Sequence, residues 1–359
     1  MKWSKERIWE WYHARPWIRG CNYMSADCAN RIDQWQELGF EERFATTEEE
    51  FQLMQTIGYN SIRIIPEFIV WEEQHDGFME RFERYLSLAN KYGISCMVVL
   101  ANDCMRPKSF EVNKLGEQTV DLGYHGGRKI SQHNLQEEMG WHVMDDPEIA
   151  PRYFEMVREI VTKYKNDERI IIWNVYNEVG HSKREQVSIP NLKKLFEIVR
   201  EIDPCQPLTC EMYRRYTEIT EVEKIGLENS DIISYHCYGS YVSNIETIQY
   251  LKRYGRPILC TEWLARGYQN TVQELFTLFY LEKIGCYNWG FVAGKNQTYE
   301  PWHALWELYE KDPSLKFDFT KWFHDLYRPS HHPYDPKEIE LIQHFCKLAD
   351  RDFKERKQI

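Results

Sequence analysis

Residues 169–175 read RIIIWNV, a nearly continuous apolar run of the kind that a parallel strand needs when helices cover both of its faces. Similar short runs lie on either side of it, separated by longer segments with helical periodicity. These runs span residues 18–23, 60–66, 95–101, 207–213, 231–238, 257–262 and 286–292. A strand and a helix that alternate about eight times predict an α/β fold, a (β/α)8 TIM barrel.

A doubly wound sheet also alternates strands with helices. Its nucleotide-binding forms carry either GxGxxG after an early strand or a P-loop. Neither motif occurs in this sequence, which favours the barrel. Barrels commonly use about 250 residues or more as one domain. Because no linker is evident, we predict a single domain over residues 1–359.

Local signals predict where several helices begin and end. Thr47 precedes Glu50 by three residues, as in a capping box, which predicts a helix start at this point. The segments near residues 3–14 and 336–355 predict helices that close the barrel. Glycines that can take a left-handed C-terminal conformation predict four helix ends, at Gly58, Gly93, Gly255 and Gly285.

The composition excludes several classes of protein. The 45 basic and 56 acidic side chains give a formal charge of −11, which argues against a nucleic-acid partner. No apolar stretch is typical of a secretory signal or of a membrane span. Several of the ten cysteines lie in or beside apolar runs, as reduced thiols do, so we expect a cytoplasmic protein. No CxxC or HExxH motif occurs, and we expect neither a metal nor an organic cofactor.

Two connections are too long to be simple turns. One runs from Asp103 to Asp145, after the third predicted strand, and the other from Ala293 to about Lys321, after the eighth. Loops of this length in compact domains are usually functional. We therefore predict that both form the rim of a pocket.

Polar side chains stand where the predicted strands end, which is where a barrel carries its reactive groups. Glu178 and Glu262 each follow a buried run directly, at the ends of the fourth and seventh strands. Two carboxyl groups that converge on one pocket are what glycosidic bond cleavage needs. Other strand ends carry Arg63, Asn102, Asn177, His236, Tyr238 and Trp289.

Two segments resemble a known clan of enzymes. WNVYNE at residues 173–178 resembles the acid/base motif on strand four of the retaining (β/α)8 glycoside hydrolases that include the family 5 cellulases and mannanases. PILCTEW at residues 257–263 resembles the nucleophile strand of that clan. The resemblance covers essentially the whole barrel. It is closest to bacterial proteins named as 1,4-β-xylanases or cellulases, through RGCN at 19–22, VAGK at 292–295 and WFHD at 322–325.

The resemblance implies that Glu178 is the general acid/base and Glu262 the nucleophile, with the two carboxyl groups about 5–5.5 Å apart. We expect burial beside Trp173 and Tyr176 to raise the pKa of Glu178. Nearby Arg63 and Tyr238 would keep Glu262 ionised. Asn177 would bond the sugar 2-OH, and Trp289 would lie under the reactive sugar. The expected substrate-binding residues are Arg63, Asn102, Asn177, His236, Tyr238, Trp289 and Lys295.

The sequence therefore predicts a retaining β-glycosidase that acts on an oligosaccharide or a glycoside. We favour exo action or action on short oligosaccharides, because no signal peptide or binding module is evident and the long loops could close one end of a cleft. The sequence leaves the oligomeric state open. The alternatives are an endo-β-1,4-glycanase, a sugar-binding barrel without catalysis, and a metal-dependent hydrolase built on His125, His133 and His142.

Overall fold

The computed structural model describes residues 1–110, 114–120, 125–127 and 138–357. Within them, eight parallel strands form one sheet. The strands are β1 (Arg19–Asn22), β2 (Ser61–Ile64), β3 (Ser95–Val99), β4 (Ile170–Asn174), β5 (Leu208–Thr209), β6 (Ile233–His236), β7 (Ile258–Trp263) and β8 (Gly285–Trp289). The sheet order is β5-β4-β3-β2-β1-β8-β7-β6. Beyond the end of β5, a bridge between Met212 and Tyr235 brings the two edges together, so the barrel is nearly closed. The predicted (β/α)8 fold is confirmed.

Helices surround the barrel. They are α1 (Lys5–His13), α2 (Arg31–Trp35), α3 (Phe40–Ile57), α4 (Phe68–Glu73), α5 (His75–Lys91), α6 (Ala150–Tyr164), α7 (Ser188–Ile202), α8 (Glu221–Asn229), α9 (Tyr241–Leu251), α10 (Val272–Glu282), α11 (His303–Lys311) and α12 (Pro336–Arg356). Helix α12 packs against α10 and α3. It therefore completes the outer ring of helices, in agreement with the prediction that this segment closes the barrel. No helix of the described residues is long and apolar enough to cross a bilayer.

Helix α1 closes the amino-terminal end of the barrel, as predicted. Ile8 is 0% exposed, and it belongs with Trp3 and Tyr12 to one apolar cluster that includes side chains of several strands. The backbone N–H of Trp3 donates to Asp231 at 2.7 Å, and the Tyr12 hydroxyl donates to the carbonyl of Lys283 at 2.7 Å. This end of the molecule is a packed apolar plug.

Two glycines lie in strands because the neighbouring strand comes too close for a side chain. A Cβ on Gly20 would lie 1.6 Å from the carbonyl oxygen of Ser61. A Cβ on Gly285 would lie 2.4 Å from the side chain of Leu259. The prediction that Gly285 ends a helix is wrong, because Lys283 takes the left-handed position after α10 with φ of 57°.

The start predicted at Thr47 is also wrong. Helix α3 begins at Phe40 and runs through this position, where the Thr47 hydroxyl donates to the carbonyl of Arg43 at 2.8 Å. Glu50 is 0% exposed and accepts hydrogen bonds from the Tyr23 hydroxyl and from the N–H of Ala26. Its carboxyl group therefore joins α3 to the loop that follows β1 instead of capping a helix.

Candidate active site

Glu178 lies four residues beyond the last residue of β4, at the carboxyl end of the barrel. Its backbone has a φ of 43°, which is a strained conformation for a residue with a side chain. The N–H of Glu178 donates to Glu211 Oε1 at 2.7 Å, and this bond holds the strained turn. The Glu178 side chain is 13% exposed, so solvent reaches it.

Glu262 lies inside β7 and is almost fully buried. Its Oε1 accepts a hydrogen bond from Arg63 at 2.9 Å, and its Oε2 accepts one from the Tyr238 hydroxyl at 2.7 Å. These are the two partners that the sequence predicts for it.

His236 lies between the two glutamates. Its Nδ1 is 2.8 Å from Glu178 Oε1 and 3.4 Å from Glu262 Oε2. One oxygen of each carboxylate and one nitrogen of this ring all lie within 4.8 Å of one another. The structure therefore places the predicted acid/base, the predicted nucleophile and the predicted histidine in one constellation.

The pKa values of the two glutamates run opposite to the expectation. Burial raises the pKa of Glu178, but the hydrogen bond and charge of His236 outweigh it and lower the value to about 2. Burial and the charge of Glu178 raise the pKa of Glu262, against the opposing charges of His236 and Arg63. Burial lowers the pKa of His236, but the surrounding carboxylates outweigh burial, so that the pKa is raised above its ordinary value. The expected order is wrong because His236 lies closer to Glu178 than to Glu262.

The aromatic side chains expected beside Glu178 point elsewhere. The Trp173 indole donates to Gln206 at 3.1 Å, and the Tyr176 hydroxyl donates to Asp103 at 2.8 Å. Asp103 is 0% exposed and bonds Arg184 as well, so it anchors the loop after β3. The side-chain hydrogen-bond partners of Glu178 are His236 and Cys104.

Arg63 organises the floor of the site. It is 2% exposed, and it donates to Glu262 and to the amide oxygens of Asn22, Asn174 and Asn177 at 2.5 to 3.0 Å. A guanidinium group has five N–H donors in a fixed plane, which suits it to hold several acceptors at once. The floor of the site is therefore set by one buried cation on β2.

Sequence reasoning missed Glu211, which is 0% exposed. Besides holding the N–H of Glu178, Glu211 accepts a hydrogen bond from Asn174 at 2.8 Å and lies 3.5 Å from Arg63. The sequence did carry a signal for Glu211, because a charged residue interrupts the fifth apolar run there. Glu211 follows Thr209 by two positions, so in an extended strand both side chains point to the same side. The sequence also predicted no role for Asn22 and Asn174, whose amide oxygens both accept hydrogen bonds from Arg63.

Asn102 contributes to the site through Asn177. The Asn102 amide oxygen accepts a hydrogen bond from Asn177 Nδ2 at 2.7 Å and another from the N–H of Cys104 at 3.1 Å. Asn102 also lines a cavity with Glu67 and Arg106. It fixes the orientation of Asn177, the predicted ligand of the sugar 2-OH.

Trp289 ends β8 and is half-buried. It lines a second cavity with Arg63 and His125, and its ring packs edge-on against His125 at 5.6 Å between centroids. Burial lowers the pKa of His125 to about 3, so this ring is neutral. Because Arg63 of this cavity also bonds Glu262, the Trp289 ring is suited to pack on the C–H face of a sugar near that carboxylate.

The described parts of the two long connections meet beside Trp289. The N–H of Gly127 donates to the carbonyl of Pro301 at 2.9 Å, and His125 Nδ1 lies 3.3 Å from the carbonyl oxygen of Asn296. Trp302 packs edge-on against Tyr238 at 5.0 Å. These parts of both connections therefore lie near the site, and α11 lies within the second connection.

Lys295 is not brought into the constellation. It is exposed and lines neither of the two cavities. The histidines of the metal-hydrolase alternative are also separated: His125 packs on Trp289, whereas His142 Nδ1 accepts from the N–H of Met144 at 3.0 Å. His133 lies outside the described residues.

A nearly closed barrel with two glutamates at its carboxyl end defines a class of protein, the (β/α)8 glycoside hydrolases. The family model "Glycosyl hydrolases family 2, TIM barrel domain" matches residues 81–311. The chain therefore belongs to this family. This membership supports the predicted enzyme class, a glycosidase. No curated protein matches the chain.

Solved structures show the same fold. Exo-beta-1,4-mannosidase Op5Man5 from Opitutaceae bacterium strain TAV5 superposes with a TM-score of 0.61 at 16% identity, over 94% of this chain and 60% of that one. The chain thus spans only 60% of the length of that mannosidase. A glycoside hydrolase family 5 mannosidase from Rhizomucor miehei gives 0.57 at 12% identity, over 95% and 94%. GH5_18 from Streptomyces cattleya, in complex with GlcNAc, gives 0.58 at 10% identity, over 95% and 81%.

Proposed function

We propose that this protein is a retaining β-glycosidase that cleaves O-glycosidic bonds by double displacement, with Glu262 as nucleophile and Glu178 as general acid/base. The observation that carries the proposal is the pair of carboxylates on the two sides of His236, with one oxygen of each within 4.8 Å of the other. Retaining enzymes keep their carboxyl groups about 5–5.5 Å apart, because no water has to fit between the nucleophile and the sugar. The proposal treats residues 1–359 as a single catalytic domain.

In the first step, Glu262 attacks the anomeric carbon and forms a covalent glycosyl-enzyme intermediate. Arg63 and Tyr238 donate to its two oxygens and orient them. As the carboxylate becomes an ester, its negative charge is lost, which relieves its repulsion with Glu178. The raised pKa of Glu262 indicates that its negative charge is poorly stabilised in the free protein. Loss of this charge on formation of the ester is therefore favourable.

Glu178 must carry a proton to release the leaving-group oxygen. In the free protein its pKa is low, and the neighbouring His236, whose pKa is raised, holds a proton 2.8 Å away. We propose that this proton passes to Glu178 as the leaving oxygen approaches. In the second step, Glu178 takes a proton from the water that hydrolyses the intermediate and returns it to His236, which restores both groups to their starting state.

Asn177 and Trp289 would hold the reactive sugar. Asn177 is fixed by Asn102 and Arg63, so its position is set before the sugar binds. Trp289 lines a cavity together with Arg63, the partner of Asn177, and offers an apolar face. An interaction with the 2-OH that strengthens in the transition state contributes to the rate.

We propose exo action or action on short oligosaccharides. The contacts of Gly127 with Pro301 and of His125 with Asn296 join the two long connections beside Trp289. Such a junction would hinder passage of a long chain on that side of the site. The alternative, an endo-β-1,4-glycanase, requires a groove that is open at both ends.

The test is hydrolysis of a panel of aryl β-glycosides, with the anomer of the product followed by NMR. Two of the similar structures are mannosidases, so mannose is the first glycone, followed by glucose, galactose, xylose, arabinose and fucose. Glu262→Ala is compared with Glu274→Ala, a substitution at an exposed glutamate on α10.

We expect release of one sugar with retained configuration, abolished in Glu262→Ala and kept in Glu274→Ala. Inverted product would contradict the double displacement. Cleavage of long β-1,4-glycans in their interior, with no release from any aryl glycoside, would favour the endo alternative. Binding of sugar without any turnover would favour the non-catalytic barrel.

A further inference from the structure

A second group of metal-binding side chains adjoins the proposed acid/base. Cys104 Sγ lies 3.0 Å from Glu178 Oε2, and His181 Nε2 lies 3.9 Å from the same oxygen. One ligand atom of each of these three residues lies within 4.8 Å of the other two. The proposed catalytic contact of Glu178 with His236 uses the other oxygen, Oε1. The two oxygens of Glu178 therefore face two different groups.

We propose that Cys104, Glu178 and His181 form a binding site for a thiophilic divalent cation, Zn²⁺, and that occupation of this site blocks Glu178 and inhibits the enzyme. The inhibition rests on the proposed function, whereas the binding does not. A sulfur, a nitrogen and an oxygen ligand suit zinc, whose bonds to these atoms are about 2.0 to 2.3 Å long. Mg²⁺ and Ca²⁺ prefer oxygen ligands alone.

The histidine is oriented for this role. His181 Nδ1 lies 3.0 Å from the Ser182 hydroxyl, which leaves Nε2 toward Glu178. Ligating histidines in proteins are usually held in this way through the second ring nitrogen. The His181 side chain is 34% exposed, so a hydrated ion can reach it and keep a water as fourth ligand.

The other cysteines offer no comparable set. Most of the ten are buried, and only Cys104, Cys205 and Cys237 are partly or fully exposed. Among the described residues, which include every cysteine, Cys104 is the one thiol within ligand distance of both a carboxylate and an imidazole. The amide of Asn177 also lies 3.7 Å from Cys104 Sγ and donates toward the sulfur.

Binding is tested with Co²⁺ as a spectroscopic substitute for Zn²⁺, on reduced protein in the absence of oxygen. As the metal–sulfur bond forms, the Cys104 thiol releases its proton to the buffer. We expect one equivalent of Co²⁺ to produce a thiolate-to-cobalt band in the near ultraviolet, with displacement by Zn²⁺. Cys104→Ser should lose the band and weaken binding more than the roughly 10- to 100-fold typical for loss of a partner behind a ligand.

Two further variants sharpen the test. His181→Asn should weaken Co²⁺ binding at least about tenfold yet keep the band at saturating metal. Cys205→Ser, which removes an exposed thiol elsewhere, should leave the affinity for Co²⁺ and the thiolate band unchanged. The proposal is overturned if the wild type shows no thiolate band or if Cys104→Ser keeps the same band.

Inhibition is measured separately, as loss of aryl glycoside hydrolysis on addition of Zn²⁺ and its return on addition of a chelator. Cys104→Ser should need at least about tenfold more Zn²⁺ for half inhibition than the wild type. A cobalt band in a protein that hydrolyses no glycoside, even when metal-free, would leave the metal site standing and reject the proposed function. Hydrolysis of the glycoside by a protein that binds no metal would support the proposed function and reject the metal site.

Discussion

The two ends of the barrel differ in the side chains that fill them, which are apolar at one end and charged at the other. At the amino-terminal end, α1 and the first residues of the strands form an apolar plug with Ile8 at its centre. At the carboxyl end, Glu178, Glu211 and Glu262 lie around Arg63 and His236 in a space that excludes most solvent. Three buried carboxylates therefore face one permanent cation and one imidazole.

The difference teaches where stability and function reside in this molecule. Burial of apolar surface stabilises the fold in proportion to its area, so the plug adds stability without chemistry. Burial of unbalanced charge costs free energy, and the strained backbone of Glu178 adds to that cost. The carboxyl end, which holds the proposed active site, thus depends on the rest of the barrel for its stability.

The largest expected effect is that of Glu178→Gln on hydrolysis. Loss of a general acid typically costs about 10²- to 10⁴-fold in rate, and we expect this for aryl glycosides with poor leaving groups. A dinitrophenyl leaving group needs no proton, so its release should fall by less than about tenfold in the glycosylation step. Pre-steady-state release of the phenol measures that step. Equal losses for both leaving groups would contradict the acid role.

The amino-terminal plug is tested with Ile8→Ala. Because Ile8 is 0% exposed, we expect the free energy of unfolding to fall by about 2 to 5 kcal/mol. Activity per folded molecule should not change. Denaturant unfolding and kcat/KM are measured together, with Leu281→Ala, at a 66% exposed position, as the control. A large loss of activity in the folded variant would contradict the view that the amino-terminal end contributes stability alone.

An effect of comparable size is expected from Glu50→Gln and should depend on pH. Burial raises the pKa of Glu50 from 4.5 to about 8, although Tyr23 and Ala26 partly oppose it. Between these values the unfolded chain is ionised while the native protein keeps its proton, so stability falls as pH rises, by about 1.4 kcal/mol per pH unit. This loss is complete above the folded pKa.

Glu50→Gln should remove this part of the pH dependence, so its stability relative to the wild type should improve from pH 5 to pH 8. Denaturant unfolding at several pH values measures the effect. The exposed neighbour variant Glu49→Gln should run parallel to the wild type. Parallel curves for Glu50→Gln as well would show that Glu50 is ionised in the native protein.

The smallest effect is expected from Lys295→Ala. Exposed substitutions away from special features change free energies by about 0.5 kcal/mol or less, so kcat/KM should change less than about threefold. Steady-state kinetics on the preferred glycoside measure it. A loss of tenfold or more would return Lys295 to the substrate-binding residues that the sequence predicts.

Much of the fold followed from the sequence, because hydrophobic periodicity is a local property. All eight strands lie within about one residue of the predicted runs or inside them. Helix boundaries were less secure. The signal at Thr47 and Glu50 is correct in form, yet burial of the α3 face that carries Phe51, Met54 and Ile57 outweighs it and continues the helix. Local capping energies of about 1 kcal/mol cannot compete with burial of a whole face.

The candidate site was predictable in its members more than in its electrostatics. Parallel strands bring their carboxyl ends to one side, so residues at strand ends meet whatever the details. Glu211 interrupts the fifth apolar run, but it was missed because its partners, Asn174 and the N–H of Glu178, come from a different strand and the turn after it. Cys104 carried no signal of its own, since its closeness to Glu178 depends on the path of the loop after β3.

The sequence by itself determined the order of strands and helices and the presence of two glutamates at strand ends. The tertiary structure alone decided which charges face one another. A register shift between β6 and β7 places His236 opposite Glu262, and the turn after β4 brings Glu178 closer still. Alternation along a strand predicts which side a residue faces, whereas the pKa of a buried carboxyl depends on distances between different strands. Those distances arise only when the barrel closes.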